Sequence, residues 1–411
     1  MLSCPNILKR CFLARTILDE FIAHFHQFGY EGDPGVKILH LITDLDMGGA
    51  EVMLFNLVKE HLKKKIEIQV IGLTRNGEIG NQLQQLGVPV EALGMRNDRQ
   101  DPFSLVRLIR LFRSIHPDLI QTWMYHADLL GGLAARLSGN IPVVWGLHHT
   151  LDGEQPVRPR TMAVLQLNAM LSGWLPRRVV CCAESARQAH IRAGYFAKRM
   201  VVIPNGIDLK RFHPDREARL ALRQELGMAA DTPLIGLFAR FHPQKDHRTF
   251  AEAAGLLHAR LPQVHFVMAG EGVTPANVQL RSWIQAAGLS PQVHLLGLRQ
   301  DMPRLMAGVD LASLSSAYGE ALPLAIAEAM SCCVPCVVTD VGDAGHLVAA
   351  TGRIVPPRDP AALSEAWKEL FSLSARGRTQ LGQKARSRIQ EEYNIVSIAE
   401  RYYSLYRSIL A

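Results

Sequence analysis

The chain has no uninterrupted apolar run of the ~20 residues that a bilayer-spanning helix needs. Its nearest approach, 161–176, contains Gln166 and Asn168 and ends in Pro176-Arg177-Arg178, so it reads as a buried core helix. Cysteine is sparse and odd in number, at positions 4, 11, 181, 182, 332, 333 and 336. With no secretory pattern, that count argues for reduced thiols in a cytoplasmic protein. Cys333 and Cys336 have the spacing of a redox pair, but a strand is expected over 334–339 and no second ligand pair completes a zinc site. Buried thiols are expected instead. Glycine (32) and proline (22) are too few among 411 residues for a collagen-like or low-complexity chain, and 48% apolar content excludes disorder as the main state. A G-x-G-x-x-G fingerprint is also missing. Gly270-Glu271-Gly272 runs on into Val273-Thr274-Pro275, which argues against a dinucleotide-dependent dehydrogenase.

What is present is a mild basic excess. The net charge is +7, with +5 of it in residues 1–205. Such a skew suits anionic substrates or an anionic membrane surface. It is too dilute for nucleic acid, which calls for basic residues crowded on one face.

Residues 1–35 stand apart as an N-terminal extension, with a helix expected over 6–28 and a glycine-containing linker after it. From 36 onward, short apolar strands alternate with amphipathic helices, the rhythm of a parallel sheet covered on both faces. The rhythm restarts after Asn205-Gly206. The expected fold is therefore α/β: two doubly wound, Rossmann-like domains facing across a cleft. Their expected bounds are 36–205 on the acceptor side and 206–390 on the nucleotide-sugar side, with a C-terminal helix over 391–411 that returns toward the first. Open α/β sheets bind ligands beyond the carboxyl ends of their strands, so the turns after strands are where function is sought.

Gly48 and Gly49 follow the first strand and open a helix, where free N–H groups face an anion. Arg240 and Lys245 follow the first strand of the second domain and form a cation pair suited to a diphosphate. Glu320 and Glu328 are expected on one helix, roughly 12 Å apart along its axis, with the N–H groups of Ala321 and Leu322 open at its start. His149 ends a strand of the first domain, and His148 beside it competes for the same role. Gly270 lies in the turn after another strand.

In this order the residues carry a resemblance. Gly48-Gly49-Ala50-Glu51, Pro204-Asn205-Gly206-Ile207-Asp208, Arg240 with Lys245, Gly270-Glu271-Gly272, Glu320 with Glu328, and Asp340-Val341-Gly342 together resemble the retaining glycosyltransferases of GT-B type, family 4 (group 1). The likeness covers roughly residues 36–410. It implies that Arg240 and Lys245 bind the donor diphosphate, that Glu328 holds the ribose and Glu320 the donor sugar. It also implies that Gly49 lets the first loop approach the phosphate and that His149 is the active-site histidine. The implied substrate is a UDP- or GDP-sugar, with no separate cofactor and no metal requirement. Gln121 to Asp128 is similar to the form in exopolysaccharide and lipopolysaccharide O-antigen enzymes, which implies a glycan or lipid-linked acceptor and peripheral contact with an anionic membrane at its inner face. A GT-B-like phosphorylase or epimerase, or a non-catalytic nucleotide-sugar-binding protein, would use the same residues. Two positions depart from the family pattern: Cys333 stands where glycine is common, and Ala183 where serine often opens a helix.

Overall fold

The computed structural model describes residues 35–95, 103–151 and 159–411. The expected helix over 6–28 lies outside them. Thirteen strands form two all-parallel sheets among the described residues. The first contains β1 (Lys37–Ile42), β2 (Glu67–Gly72), β3 (Val90–Ala92), β4 (Leu119–Trp123), β5 (Val143–Leu147), β6 (Arg178–Cys181) and β7 (Met200–Val202), in the order β3-β2-β1-β4-β5-β6-β7. The second contains β8 (Leu234–Phe238), β9 (His265–Ala269), β10 (Val293–Leu295), β11 (Leu311–Leu314), β12 (Cys336–Thr339) and β13 (Arg353–Val355), in the order β10-β9-β8-β11-β12-β13.

Both orders reverse direction once, between β1 and β4 and between β8 and β11. These are the topological switch points of a doubly wound sheet. Strands such as Leu234–Phe238 are buried at every position, because helices cover both faces. That double burial makes them read as continuous apolar runs. In the second sheet, Phe250, Phe266 and Trp367 stack edge to face on one side, and Trp367 Nε1 donates to Ser313 Oγ at 3.2 Å.

By packing, the chain divides into two compact units. One holds residues up to Trp145 with Leu175–Arg177 and Tyr406–Ala411; the other holds Gly146–Trp174 with Arg178–Leu405. Within the first, Tyr406 Oη from the C-terminal helix Ile395–Leu410 donates to Gln121 Oε1 on β4.

Two helices differ from expectation. The segment expected as a buried core helix is a helix over Pro159–Leu171 with only Leu165, Asn168 and Ala169 buried; its remaining apolar side chains face outward or sit half-covered. Apolar composition fixed the helix but not what covers it. The helix expected to start by Glu320 begins instead at Leu324, after Pro323. Proline lacks the N–H a helix interior uses and drives the residue before it to extended backbone, so 320–322 cannot join that helix.

The five described cysteines are free thiols, four of them buried. Burial pushes the Cys182 and Cys332 thiols up to about 12, so they stay protonated and inert. Cys333 has φ +60, the left-handed region, which is why glycine suits this position. Cys333→Gly should therefore raise stability, by no more than about 1 kcal/mol. A thermal melt of the variant beside the wild type checks the sign.

Candidate functional site

The second sheet places its two key loops side by side. β8 and β11 are hydrogen-bonded neighbours at the switch point, so the loop 239–246 after β8 meets the loop 315–323 after β11. The first is a tight structure. Pro243–Lys245 forms a 3-10 turn, and Asp246, at φ +45, caps the helix His247–His258 by accepting from Thr249 N and Oγ1. Four hydrogen bonds tie the loops to each other and to β12. Ala317 N donates to Gln244 O, Gln244 Nε2 to Gly319 O, Ser315 Oγ to Lys245 O, and Thr339 Oγ1 to Ser316 O.

This frame brings Lys245 and Glu320 together across 75 residues of sequence. Lys245 Nζ lies 2.5 Å from Glu320 Oε1, which also accepts from Ser316 Oγ. Glu320 is 6% exposed. Its Oε2 makes no hydrogen bond among the described residues. A buried carboxylate is tolerable because it is paired and hydrogen-bonded. Arg240 is exposed and has no ion pair among the described residues. The His242 imidazole is held below its usual pKa, first by burial and then by the Arg240 and Lys245 charges. Its Nδ1 accepts from Gln244 N, which fits a neutral ring protonated at Nε2. The switch point thus offers two cations against one carboxylate: a site of net positive charge held on a stiff loop.

Two glycines make this packing possible. A Cβ on Gly342 (φ +57) would lie 1.6 Å from Glu320 O, and one on Gly270 (φ +155) would lie 2.1 Å from Ala239 O. Gly270 therefore supports the Arg240 loop from behind. Gly342→Ala should cost about 1–3 kcal/mol, as overpacking does, and shift the Glu320 loop. A denaturant melt measures the first, and the variant's affinity for UDP reports the second.

Ala321 and Leu322 lie on the loop rather than at a helix start, which corrects the expectation that their N–H groups open a helix. The Ala321 carbonyl accepts from Asp343 N at 3.0 Å. The axial separation expected between Glu320 and Glu328 falls with the shared helix. Glu328 alone is helical, in Leu324–Ser331. It is half-buried, and no described residue hydrogen-bonds its carboxylate. Burial pushes its pKa up to about 7, partly offset by the Arg211 charge.

The two histidines after β5 separate cleanly. His148 is buried, its Nδ1 3.1 Å from Asn205 Oδ1, and burial with the neighbouring His149 lowers its pKa to about 3. His149 reaches solvent, yet it is set among enough protein for desolvation, followed by the Arg240 charge, to lower its pKa.

In the first sheet, Gly48 precedes the helix Gly49–Leu62, and Val52 N donates to Gly48 O. Beside them is a residue whose chemistry the sequence did not reveal. Glu51 is pushed up to about 7, chiefly by burial, with Asp44 and Asp46 adding to the rise.

Asp343 was also missed. Both its carboxylate oxygens accept at 2.8 Å from Glu184 N and Ser185 N, at the start of the helix Glu184–Arg192. Ala183 has no side chain to cap that helix, so an aspartate 159 residues away does it. An alanine in a capping position was the signal that a partner must come from elsewhere.

Residues 47–211 match the family model described as Glycosyltransferase Family 4, and residues 232–372 match Glycosyl transferases group 1. EpsF of Bacillus subtilis (strain 168), assigned as a glycosyltransferase, is 27% identical over 320 residues, 74% of this chain and 79% of that protein. The Escherichia coli UDP-Gal:alpha-D-GlcNAc-diphosphoundecaprenol alpha-1,3-galactosyltransferase is 29% identical over 252 residues, 61% of this chain and 64% of that enzyme. Among solved structures, Anabaena HepE in complex with UDP superposes with a TM-score of 0.80 at 26% identity, covering 91% of this chain and 100% of that one.

Proposed function

Because the chain belongs to the glycosyltransferases of family 4, with the GT-B fold, we propose that it moves a sugar from a UDP-sugar to a lipid-linked glycan acceptor in cell-surface polysaccharide synthesis. The carrying observation is the switch-point cluster: Arg240 unpaired, Lys245 fixed against Glu320, and both on the loop after β8. UDP as the donor's nucleotide is supported by the complexes of HepE with UDP and with UDP and glucose, and a lipid-diphosphate acceptor by the E. coli relative.

In this mechanism Arg240 and Lys245 take the negative charge that grows on the departing diphosphate, in positions set before the donor arrives. Glu328 accepts hydrogen bonds from the ribose diol, and Glu320 presents Oε2 to the donor sugar while its Oε1 holds Lys245. His149, neutral at pH 7, hydrogen-bonds the sugar. The acceptor hydroxyl attacks the anomeric carbon from the face the diphosphate leaves, passes its proton to the leaving phosphate oxygen, and configuration is retained. Two cations already supply the charge stabilisation, so no metal is required. The proposed place of work is the cytoplasmic face of a membrane; no helix among the described residues is long and apolar enough to cross one.

The test is a transfer assay with UDP- and GDP-sugars and a polyprenyl-diphosphate-linked acceptor, with and without EDTA. The expected result is a lengthened lipid-linked product from a UDP-sugar, at a rate EDTA leaves unchanged. Epimer or free sugar phosphate in place of that product would contradict the reading.

A further inference from the structure

Asp343 engages three separate segments with its own polar groups. Its N–H donates at 3.0 Å to Ala321 O, on the loop that carries Glu320. Its C=O accepts from Leu347 N at 2.8 Å, within the short helix Ala344–Val348. Both carboxylate oxygens accept at 2.8 Å from Glu184 N and Ser185 N. The residue before it, Gly342, packs so closely on Glu320 O that no Cβ fits between them.

The far end of this contact leads to His149. Glu184 and Ser185 come just after β6, whose end is held to the end of β5 by the 3.1 Å bond from Cys182 N to Leu147 O, two residues before His149. The His149 ring in turn feels the Arg240 charge. Hydrogen bonds and two short pieces of chain therefore run from the Glu320 loop to the His149 turn, and Asp343 joins them. A cap was open to the helix locally. Ala183 has the extended backbone of an N-cap (φ −156, ψ 154), where a serine would accept from the free N–H groups and need no distant partner. With Asp343 in that role, completing the helix depends on where the Glu320 loop lies.

We propose that Asp343 is a positioning residue for sugar transfer: by tying the Glu320 loop to the helix Glu184–Arg192, it sets His149 against the donor sugar. This rests on the reading above, in which Glu320 and His149 meet that sugar. Asp343→Ala keeps the N–H on Ala321 O, so the Glu320 loop stays in place. What it releases is the helix start, and His149 with it.

The test compares the wild type with Asp343→Ala and with Asp343→Ala/Ala183→Ser, which restores a cap from within the helix. Asp343→Ala should melt at a lower temperature and bind UDP within about twofold of the wild type. Its kcat should fall at least about tenfold, since a ~1 Å misplacement can cost ~100-fold. The His149 ring, followed by NMR titration, should show its pKa rising toward the ordinary 6.5 as it leaves Arg240. Loss of the Asp343 negative charge would by itself lower that pKa, so a rise reports movement. In the double variant the melting temperature should recover, while kcat stays low and the His149 pKa stays raised. Recovery of all three would reduce Asp343 to a helix cap and overturn the proposal. So would an unchanged kcat and His149 pKa in Asp343→Ala, or a loss of UDP affinity as large as the loss of kcat. A wild type that transfers no sugar would overturn the reading beneath the proposal, and the His149 titration, which needs no substrate, would then judge the tie itself.

Discussion

Replacing Lys245 by alanine should lower kcat by about 10²–10³, the loss seen when one preorganised donor to a developing anion is removed. The ammonium also pairs with a buried carboxylate, so the variant leaves Glu320 with Ser316 alone and should lose ~1–3 kcal/mol of stability. The two effects separate in Lys245→Ala/Glu320→Gln. Neutralising the carboxylate should return much of the stability and none of the turnover. Stability lost in Lys245→Ala with kcat unchanged would reduce the pair to a structural contact. For the same reason Glu320→Gln should not be selective for sugar-bearing ligands. It loosens Lys245, so affinity for free UDP should fall as well.

Glu328→Gln should act in opposite directions on binding and on stability. A half-buried carboxylate with pKa about 7 is a group the folded protein holds protonated more readily than the unfolded chain does. Below its ordinary pKa of about 4.5 it carries no penalty. As pH rises from there to about 7 the folded state loses stability relative to the unfolded chain, and above that the penalty is constant at ~2–3 kcal/mol. Glutamine removes it, so the variant should be the more stable of the two at pH 8 and no more stable than wild type at pH 4. Glu51 and Glu91 are raised to about 7 by burial as well, and the difference between the two proteins cancels them. If the carboxylate accepts from a ribose diol, UDP should bind the wild type more tightly as pH rises toward 7. The variant should bind about 10–100-fold more weakly, with no such rise, since hydrogen bonds to a charged group contribute ~1.5–3 kcal/mol. Calorimetric titration across that range reads both. Equal affinity in the two proteins would remove Glu328 from the ribose site.

The parallel sheets were legible because their strands are buried on both faces and stand out as short apolar runs between helical patterns. Arg240 and Lys245 were legible for the same reason: they directly follow such a strand. The pairing of Lys245 with Glu320 was not, because it needs β8 and β11 to be neighbours, and strand order is not written in any local pattern. The start of the Glu328 helix was misplaced although Pro323 marks it. The apolar content of 161–176 was read as a core helix because periodicity shows which residues share a face and never whether protein covers it. The Asp343 cap is the furthest from legible. An alanine hints that a cap is missing, but nothing near it says which aspartate supplies one.

If the β8–β11 switch point binds the donor's diphosphate, a crystal structure of the protein with UDP should show phosphate oxygens within hydrogen-bonding distance of Arg240 and Lys245, and the ribose hydroxyls on Glu328. A nucleotide bound elsewhere, with Lys245 still engaged only by Glu320, would contradict it.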